Sequence, residues 1–338
     1  MASLNYTRRL SNLQTRKYDF ELNESQISKS FSTREIPENI KYLVESTRKI
    51  DSKYNAKTIE AANRVQKHLE NGLNLHFSRA YRTQGSVITS TNIKVHSDFD
   101  LLTIVDRYHY TAPNVPVISP YTASEPRDDI KELRTQSVRI LKGIYDEVDD
   151  SGEKCVSIFN KSLGRKVDVV FGFWYNTDDY EKTSSEYYRG IKFSPTGSPD
   201  FPFAHLHNVN HKGNTTVDGS RKAIRLLKNL RADSESSIEL LKGFHFTSVI
   251  HSIENALLKY PNSSDLSIAK TTSDELRNLI DNSSYRKDVK SPNGTETPFI
   301  RDEFVNELSL IKEDLDELIY DCSREIGSSA IQKALLTY

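Results

Sequence analysis

An Asp-x-Asp motif at the start of a strand-like run constrains this chain more than any other feature. Asp98 and Asp100 flank Phe99 and open the apolar run 101–105, which is rich in residues that favour strands. Side chains two positions apart lie on the same face of a strand, so both carboxylates are expected to point the same way. Two carboxylates this close repel each other unless a cation lies between them. The motif therefore predicts a cation site at the beginning of a strand.

A turn of small residues precedes the acidic motif. Gly85 and Ser86 stand ahead of it, and eleven residues separate Ser86 from Asp98. One interpretation is purely structural: the turn contains a glycine because glycine tolerates a positive φ. The alternative hypothesis is that the Ser86 hydroxyl and the backbone N–H groups around Gly85 bind the β- or γ-phosphate of a nucleotide. The sequence leaves both interpretations open.

A third carboxylate lies in a second strand-like run. Asp168 stands between Val167 and Val169, and burying an acid there is costly without a partner. Mg²⁺ takes oxygen ligands, and substrate phosphates complete its coordination shell. The three aspartates therefore predict a site for two Mg²⁺ ions, replaceable by Mn²⁺, that supports nucleotidyl transfer. The opposing interpretation is three unrelated surface acids in a chain with 47 acidic residues.

The motifs together resemble those of the polymerase-β-type nucleotidyltransferase superfamily, and within it those of the cGAS/DncV-like nucleotidyltransferases of bacterial anti-phage signalling. The resemblance runs from residue 40 to residue 335 and rests on four segments: Gln84-Gly-Ser-Val87, Ser97-Asp-Phe-Asp-Leu-Leu102, Val167-Asp-Val169 and Ala223-Ile-Arg-Leu-Leu-Lys-Asn-Leu230. It implies an α+β fold of two lobes. A polymerase-β-like palm with a mixed sheet would precede a C-terminal helical lobe.

The resemblance also implies an activity. The expected reaction is the template-independent joining of nucleoside triphosphates, ATP among them, into a cyclic di- or trinucleotide second messenger, with release of pyrophosphate. Asp98 and Asp100 would bind both metal ions, and Asp168 would bind the ion that activates the acceptor hydroxyl. In a CBASS-type anti-phage system the product would activate a separate effector protein, and a regulatory partner is a further expectation.

Two other functions remain open. The first is a terminal nucleotide-adding or adenylylating transferase that acts on RNA, on a protein or on a small molecule. The second is a nucleotide sensor that keeps the fold without catalysis. Against the sensor, the sequence retains all three aspartates, Asp98, Asp100 and Asp168.

A predicted helix over residues 218–233 carries basic residues on one face. Arg225 and Lys228 lie three positions apart and therefore point to the same side. They form either part of a solvated cationic face or a clamp for a triphosphate. By the resemblance, Lys228 takes the place of the lysine that holds the donor triphosphate.

The next phosphate contact of the family is altered in this chain. Where the family often has a Ser-Tyr pair, this chain has Gly243-Phe244. The serine contact with phosphate is therefore absent or comes from Ser248.

Three histidines occur close together in a segment that the pattern predicts to be a loop. His205, His207 and His211 are candidate zinc ligands, but no cysteine lies near them, and structural zinc sites usually have four ligands. The sequence therefore favours a loop cluster that contacts solvent or nucleotide over a zinc site.

Helical and strand periodicities divide the chain into three parts. We predict an N-terminal extension (1–35), a nucleotidyltransferase palm with a long bracing helix (36–195) and a helical lobe (196–338). The predicted helices cover 37–71 (as one helix or two), 127–148, 218–233, 236–260, 271–281, 301–320 and 327–335, and the predicted strands 77–87, 98–106, 154–160 and 165–175. Gly164 between the last two strands indicates a hairpin.

Charge and hydropathy narrow the range of partners. The net charge is −1 and the pI about 6.8, so no basic field favours a long nucleic acid, and a nucleotide-sized substrate is expected. The chain has no apolar run long enough for a membrane span and no apolar N-terminal leader. Its two cysteines are far apart, which agrees with a reducing compartment. We therefore expect a cytoplasmic protein without a membrane partner.

Overall fold

The computed structural model of the chain describes residues 4–18, 36–95, 97, 99–116, 124–260 and 264–326. They divide into two compact units. The sheet unit comprises 51–89 and 96–207, and the helical unit comprises the residues before 51, 90–95 and those from 208 onward. The predicted boundary at residue 36 differs from this division, because Ile40 and Leu43 are buried in the core of the helical unit.

The described elements alternate strands and helices before a run of helices. The strands are β1 (Arg79–Gln84), β2 (Asp100–Thr111), β3 (Glu147–Asp149), β4 (Cys155–Asn160), β5 (Arg165–Asn176) and β6 (Gly190–Lys192). The helices are α1 (Tyr6–Lys17), α2 (Glu38–Thr47), α3 (Ser52–Gly72), α4 (Pro126–Lys142), α5 (Asp178–Thr183), α6 (Pro202–Thr215), α7 (Gly219–Asp233), α8 (Gly243–Ser252), α9 (Asn255–Leu258), α10 (Asp265–Asp281), α11 (Ser283–Asp288) and α12 (Phe304–Ile326). In these ranges, no helix combines the length and the apolar character that crossing a membrane requires.

The strands of the described residues form one mixed sheet in the order β1-β2-β5-β4-β3, with β6 beside the later part of β5. β2 and β5 run parallel, and the other pairs are antiparallel. The α+β fold with a mixed sheet and a helical C-terminal part is confirmed. β4 and β5 form the predicted hairpin, and Gly164 in its turn has a φ of +62°, which favours glycine.

Helices cover one face of the sheet, and in the first half of β5 the residues of this face are buried while the residues between them are less buried. Val167, Val169 and Phe171 of β5 point to this face and are buried in one core with Leu69 of α3 and Leu133 of α4. Each such side chain contributes about 1.5–3 kcal/mol when fully buried. The alternate residues of β2 and β5, Asp100 and Asp168 among them, therefore point to the other face.

The predicted bracing helix consists of two helices. α3 begins after Asp51, whose side chain accepts a hydrogen bond from the Lys53 N–H at 2.9 Å and so caps the new helix. α2 ends at Thr47, and the residues between the two helices are extended or irregular.

One predicted helix start in the C-terminal half is wrong, and one helix was not predicted. The predicted helix 236–260 begins only at Gly243, because the Glu307 carboxylate accepts hydrogen bonds from the N–H groups of residues 239–241. The segment with His205, His207 and His211 is predicted to be a loop but lies in helix α6, which begins at Pro202, where a proline fits a helix. The predicted helix 327–335 lies outside the described residues.

Candidate active site

Two of the three predicted metal-binding carboxylates lie side by side in the sheet unit. Asp100, the first residue of β2, is the register partner of Asp168 in β5. The Asp168 N–H donates to the Phe99 carbonyl at 3.0 Å, which fixes this register. Register partners project from the same face, so the two side chains are neighbours. Asp98, the third predicted ligand, lies outside the described residues.

A hydrogen-bond donor flanks each of these carboxylates on the next strand outward. Gln84 of β1 is the register partner of Asp100, and its Nε2 donates to Asp100 Oδ2 at 2.9 Å. Ser157 of β4 is the register partner of Asp168, and its Oγ donates to Asp168 Oδ1. Gln84, Asp100, Asp168 and Ser157 thus form one row across four adjacent strands, which we call the acidic row.

Neither donor was identified as functional from the sequence. In the sequence, Gln84 is the polar residue directly before Gly85 and carries no further sign of a function. Ser157 carried a weaker signal: it is the polar position between Val156 and Ile158, both of which are buried.

A lysine neutralises part of the charge of the acidic row. The Lys166 Nζ lies 3.2 Å from Asp168 Oδ1 and donates to Oδ2 at 3.3 Å. Lys166 precedes Asp168 by two residues in β5 and therefore points to the same face. The lysine side chain is 45% exposed and that of Asp168 13%, so the ion pair is open to solvent on the lysine side.

The acidic row fits a magnesium ion by the chemistry of its donors. Asp100 and Asp168 offer carboxylate oxygens at the same level of adjacent strands, and Mg²⁺ is usually bound by one or two carboxylates. Among the described residues, no group of three or more His, Cys, Asp or Glu side chains could hold a metal. The described residues thus include two of the three predicted carboxylate ligands, Asp100 and Asp168.

The Gly-Ser turn follows β1 directly. Gly85 has a φ of +118°, a backbone conformation that residues other than glycine rarely adopt. The turn is closed by a 3.2 Å hydrogen bond from the Ile88 N–H to the Gly85 carbonyl, and Thr89 Oγ1 donates to the Ser86 carbonyl at 3.3 Å. This geometry explains the glycine. The phosphate contacts of Gly85 and Ser86 stay a prediction.

Lys228 lies within the helical unit and is half-buried in α7. Its Nζ donates to the Thr91 carbonyl at 3.0 Å and to Thr91 Oγ1 at 3.4 Å. Burial, and to a lesser degree the neighbouring Arg225 charge, lower the pKa of the Lys228 ammonium to about 8. Its contact with a triphosphate stays a prediction.

The predicted phosphate contact of Arg225 is contradicted by its surroundings. The side chain is 1% exposed, and all three guanidinium nitrogens donate within the helical unit. Nε donates to the Thr47 carbonyl at 2.6 Å, Nη1 to the Ser90 carbonyl at 2.7 Å and Nη2 to Asp218 Oδ2 at 2.6 Å. Arg225 therefore joins three segments of the helical unit.

Ser248 is likewise unsuited to phosphate. It is 0% exposed, and its hydroxyl donates to the Phe244 carbonyl one helical turn earlier at 3.0 Å. Of the two alternatives for this contact, the burial of Ser248 favours the absence of a serine contact with phosphate.

The three histidines lie on a helix and not in a loop. His205, His207 and His211 all belong to α6. Residues two apart on a helix are separated by about 200° around its axis, so His205 and His207 point to opposite sides. The His207 ring packs edge-on against Tyr187, with 5.0 Å between the ring centroids. His207 and His211 are four residues apart and share a side of the helix, whereas His205 points away from them, so the helix does not bring all three rings together.

Known proteins with similar sequences are cyclic dinucleotide synthases. No family model matches the chain. The chain is 30% identical over 342 residues to a c-di-GMP synthase of Capnocytophaga granulosa, covering 92% of this chain and 95% of the relative. It is 31% identical over 298 residues to the cyclic dinucleotide synthase CdnE of Yersinia aleksiciae, covering 85% of this chain and 77% of the relative.

Solved structures agree with these relatives. The STING-associated CdnE c-di-GMP synthase from Capnocytophaga granulosa is similar with a TM-score of 0.80 and 28% identity, over 95% of this chain and 99% of that one. The CdnE c-UMP-AMP synthase of Rhodothermus marinus is similar with a TM-score of 0.63 at 16% identity, over 82% of this chain and 94% of that one. The second likeness concerns the fold alone.

Proposed function

Because the chain belongs to the cGAS/DncV-like nucleotidyltransferase family, we propose that it joins two ribonucleoside triphosphates into a cyclic dinucleotide at the acidic row. The observation that carries this proposal is the register pairing of Asp100 with Asp168. It provides two carboxylates on neighbouring strands, which would hold a metal ion beside the phosphates of a bound nucleotide.

The proposed reaction consists of two nucleotidyl transfers. In each, a ribose hydroxyl oxygen attacks the α-phosphorus of the other nucleotide, and the bond to pyrophosphate breaks. When bound by Asp100 and Asp168, Mg²⁺ would supply the positive charge that lowers the hydroxyl pKa and stabilises the leaving pyrophosphate. The two carboxylates keep their places because backbone hydrogen bonds of β2 and β5 fix their strands.

We assign the phosphate contacts to two further segments. The hydroxyl of Ser86 and the N–H groups of the turn that Gly85 begins would donate to phosphate oxygens. The Lys228 ammonium would contribute a charge to the triphosphate.

We further propose that the substrate is GTP and the product c-di-GMP. The relative from Capnocytophaga granulosa, which this chain matches over 95% of its length, is named a c-di-GMP synthase. A cyclic dinucleotide has no free phosphomonoester and is suited to act as a diffusible signal. We therefore propose a separate effector protein as its target, within a CBASS-type anti-phage system.

The test is an incubation of the purified protein with each ribonucleoside triphosphate alone and with all four, in Mg²⁺ or Mn²⁺. Products are treated with phosphatase and identified by mass spectrometry, with Asp100→Asn as the control. A phosphatase-resistant product of c-di-GMP mass from GTP alone supports the proposal. A mixed cyclic product corrects the base choice, whereas label transferred to RNA or protein favours the alternative transferase. Nucleotide binding without any turnover favours the catalytically silent sensor.

A further inference from the structure

The carboxylates of the acidic row are held from outside by two neutral donors. We propose that Gln84 and Ser157 are positioning residues, which fix Asp100 and Asp168 in the orientation that binds the metal. The inference rests on the proposed function, because it concerns the same carboxylates. The structural basis is that each donor is the register partner of the aspartate to which it donates.

The row is symmetric in its chemistry. Its two central members carry negative charge, and its two outer members each donate to one carboxylate oxygen. Such a bond fixes the rotation of the carboxylate, which would otherwise turn away from a neighbour of like charge. Outer donors of this kind commonly orient the ligands of a metal and tune its affinity.

Neutral donors are suited to this task in a way that a cation is not. Lys166 also contacts Asp168, but its charge competes with an incoming metal for the same oxygens. The Ser157 hydroxyl and the Gln84 amide carry no charge, so they orient the carboxylates without cancelling the charge that attracts Mg²⁺. Both bonds are compatible with a metal that is bound by the remaining coordination sites of the carboxylates.

The residue type at position 157 is also unusual for its strand. Val156 and Ile158 on either side are buried in the apolar core, and strands favour β-branched and aromatic residues. Ser157 points to the opposite face, where its side chain reaches Asp168. A serine at this position has a lower strand propensity than a β-branched residue, but its hydroxyl can donate a hydrogen bond to Asp168.

The test measures metal affinity separately from activity. We would titrate Mn²⁺ into each protein in the presence of a non-hydrolysable GTP analogue and follow free Mn²⁺ by electron paramagnetic resonance. The variants are Ser157→Ala and Gln84→Met, which remove the donors at nearly constant shape. Ser157→Thr retains a hydroxyl and is the conservative rescue.

A matched control comes from β2. Thr103 is 0% exposed, and its hydroxyl has no hydrogen-bond partner in the described part of the structure. It points to the face opposite the acidic row, because it is three residues from Asp100. Thr103→Val therefore removes a buried hydroxyl from the same sheet without touching the carboxylates.

We expect the Mn²⁺ dissociation constant to rise about tenfold in Ser157→Ala and in Gln84→Met. Ser157→Thr and Thr103→Val should remain close to the wild-type value, and the affinity for the analogue without metal should not change. Wild-type Mn²⁺ affinity in both folded donor variants would overturn the inference. If the wild-type protein itself bound no Mn²⁺, the proposed function would fail instead, so the two failures are distinguishable. If either Ser157→Ala or Gln84→Met fails to fold, the other variant still tests the inference.

Discussion

Asp100 and Asp168 face each other across a parallel strand pair, although 67 residues separate them in the chain. Their spacing is therefore set by the backbone hydrogen bonds of β2 and β5 and not by a loop. Sites on strands hold their geometry more closely than sites on loops do. This rigidity matters for a pair of like charges, because repulsion would otherwise separate them before a metal arrives.

The first prediction concerns these two carboxylates. Asp100→Asn or Asp168→Asn should reduce nucleotidyl transfer by at least roughly a hundredfold, because each removes a ligand charge from a metal that supplies several kcal/mol. The fold should persist, since both strands keep their backbone bonds. Product formation by mass spectrometry and thermal unfolding measure the two effects.

The matched control for this prediction is Asp149→Asn. Asp149 is exposed at the end of β3, where it is the register partner of Ser157, and it accepts hydrogen bonds from Ser151. It therefore lies on the same face of the sheet, one strand farther out. If Asp149→Asn lost activity as strongly as Asp100→Asn, the assignment of the site would be too narrow.

Local patterns predicted the hairpin and the four longer strands, but not the three-residue strands β3 and β6. β4 occupies the predicted residues almost entirely, because Val156 and Ile158 alternate with more polar neighbours. The errors arise where a distant side chain decides the local structure. Residues 239–241 follow a helical pattern, but the carboxylate of Glu307, 66 to 68 residues away, binds their N–H groups.

The charged residues of the site could be predicted from the sequence, but the residues that donate hydrogen bonds to them could not. Asp168 could be assigned because an acid in a valine-rich strand needs a partner. The donors Gln84 and Ser157 could not be assigned, since they depend on the register of four strands, which one sequence does not specify. For Arg225, helical spacing gave the correct face, but the carbonyls that its guanidinium meets come from distant segments.

A second prediction concerns Lys166, which pairs with Asp168. Lys166→Met removes a cation that competes with the metal, so the Mn²⁺ affinity should rise. The increase should be at most about fivefold, because an ion pair this exposed is worth no more than about 1 kcal/mol. The same titration that tests the donors measures it. Weaker Mn²⁺ binding in Lys166→Met would show that the lysine supports the metal site and does not compete with the ion.

A third prediction concerns the stability of the helical unit. Arg225→Ala leaves the Thr47 and Ser90 carbonyl groups without their guanidinium donor and removes one of the two arginine partners of Asp218. The free energy of unfolding should fall by about 2–4 kcal/mol, because hydrogen bonds to buried carbonyl groups are lost. Arg277→Ala is the control, because Arg277 is exposed on α10 and forms an ion pair with the exposed Asp274 one turn away; its effect should stay within about 0.5 kcal/mol. Denaturant unfolding compares the two, and equal losses would contradict the structural role of Arg225.

A fourth prediction follows from the lowered pKa of Lys228. Its ordinary value of 10.5 is lowered to about 8, so the ammonium is charged at pH 7 and mostly neutral at pH 9. A triphosphate favours the charged form, so affinity for a non-hydrolysable GTP analogue should fall as the pH rises through 8. The expected decrease is about five- to tenfold between pH 7 and pH 9. Lys228→Met should bind more weakly at pH 7 and lose this dependence. An unchanged pH profile in that variant would assign the titration to another group.

The last prediction separates the strain of a glycine from its place in the site. Gly85 and Gly294 both have a positive φ, +118° and +77°, so alanine at either position is strained by about 1–3 kcal/mol. Within the described part of the chain, no atom lies within 4 Å of where the Cβ would be at Gly294, so Gly294→Ala should lower the unfolding temperature and leave activity intact. Gly85→Ala should lower both, because Gly85 connects Gln84, which holds Asp100, to Ser86. Measured below both unfolding temperatures, Mn²⁺ affinity and turnover should therefore fall only in Gly85→Ala. Equal turnover in the two variants would mean that the turn after β1 serves the fold and not the chemistry.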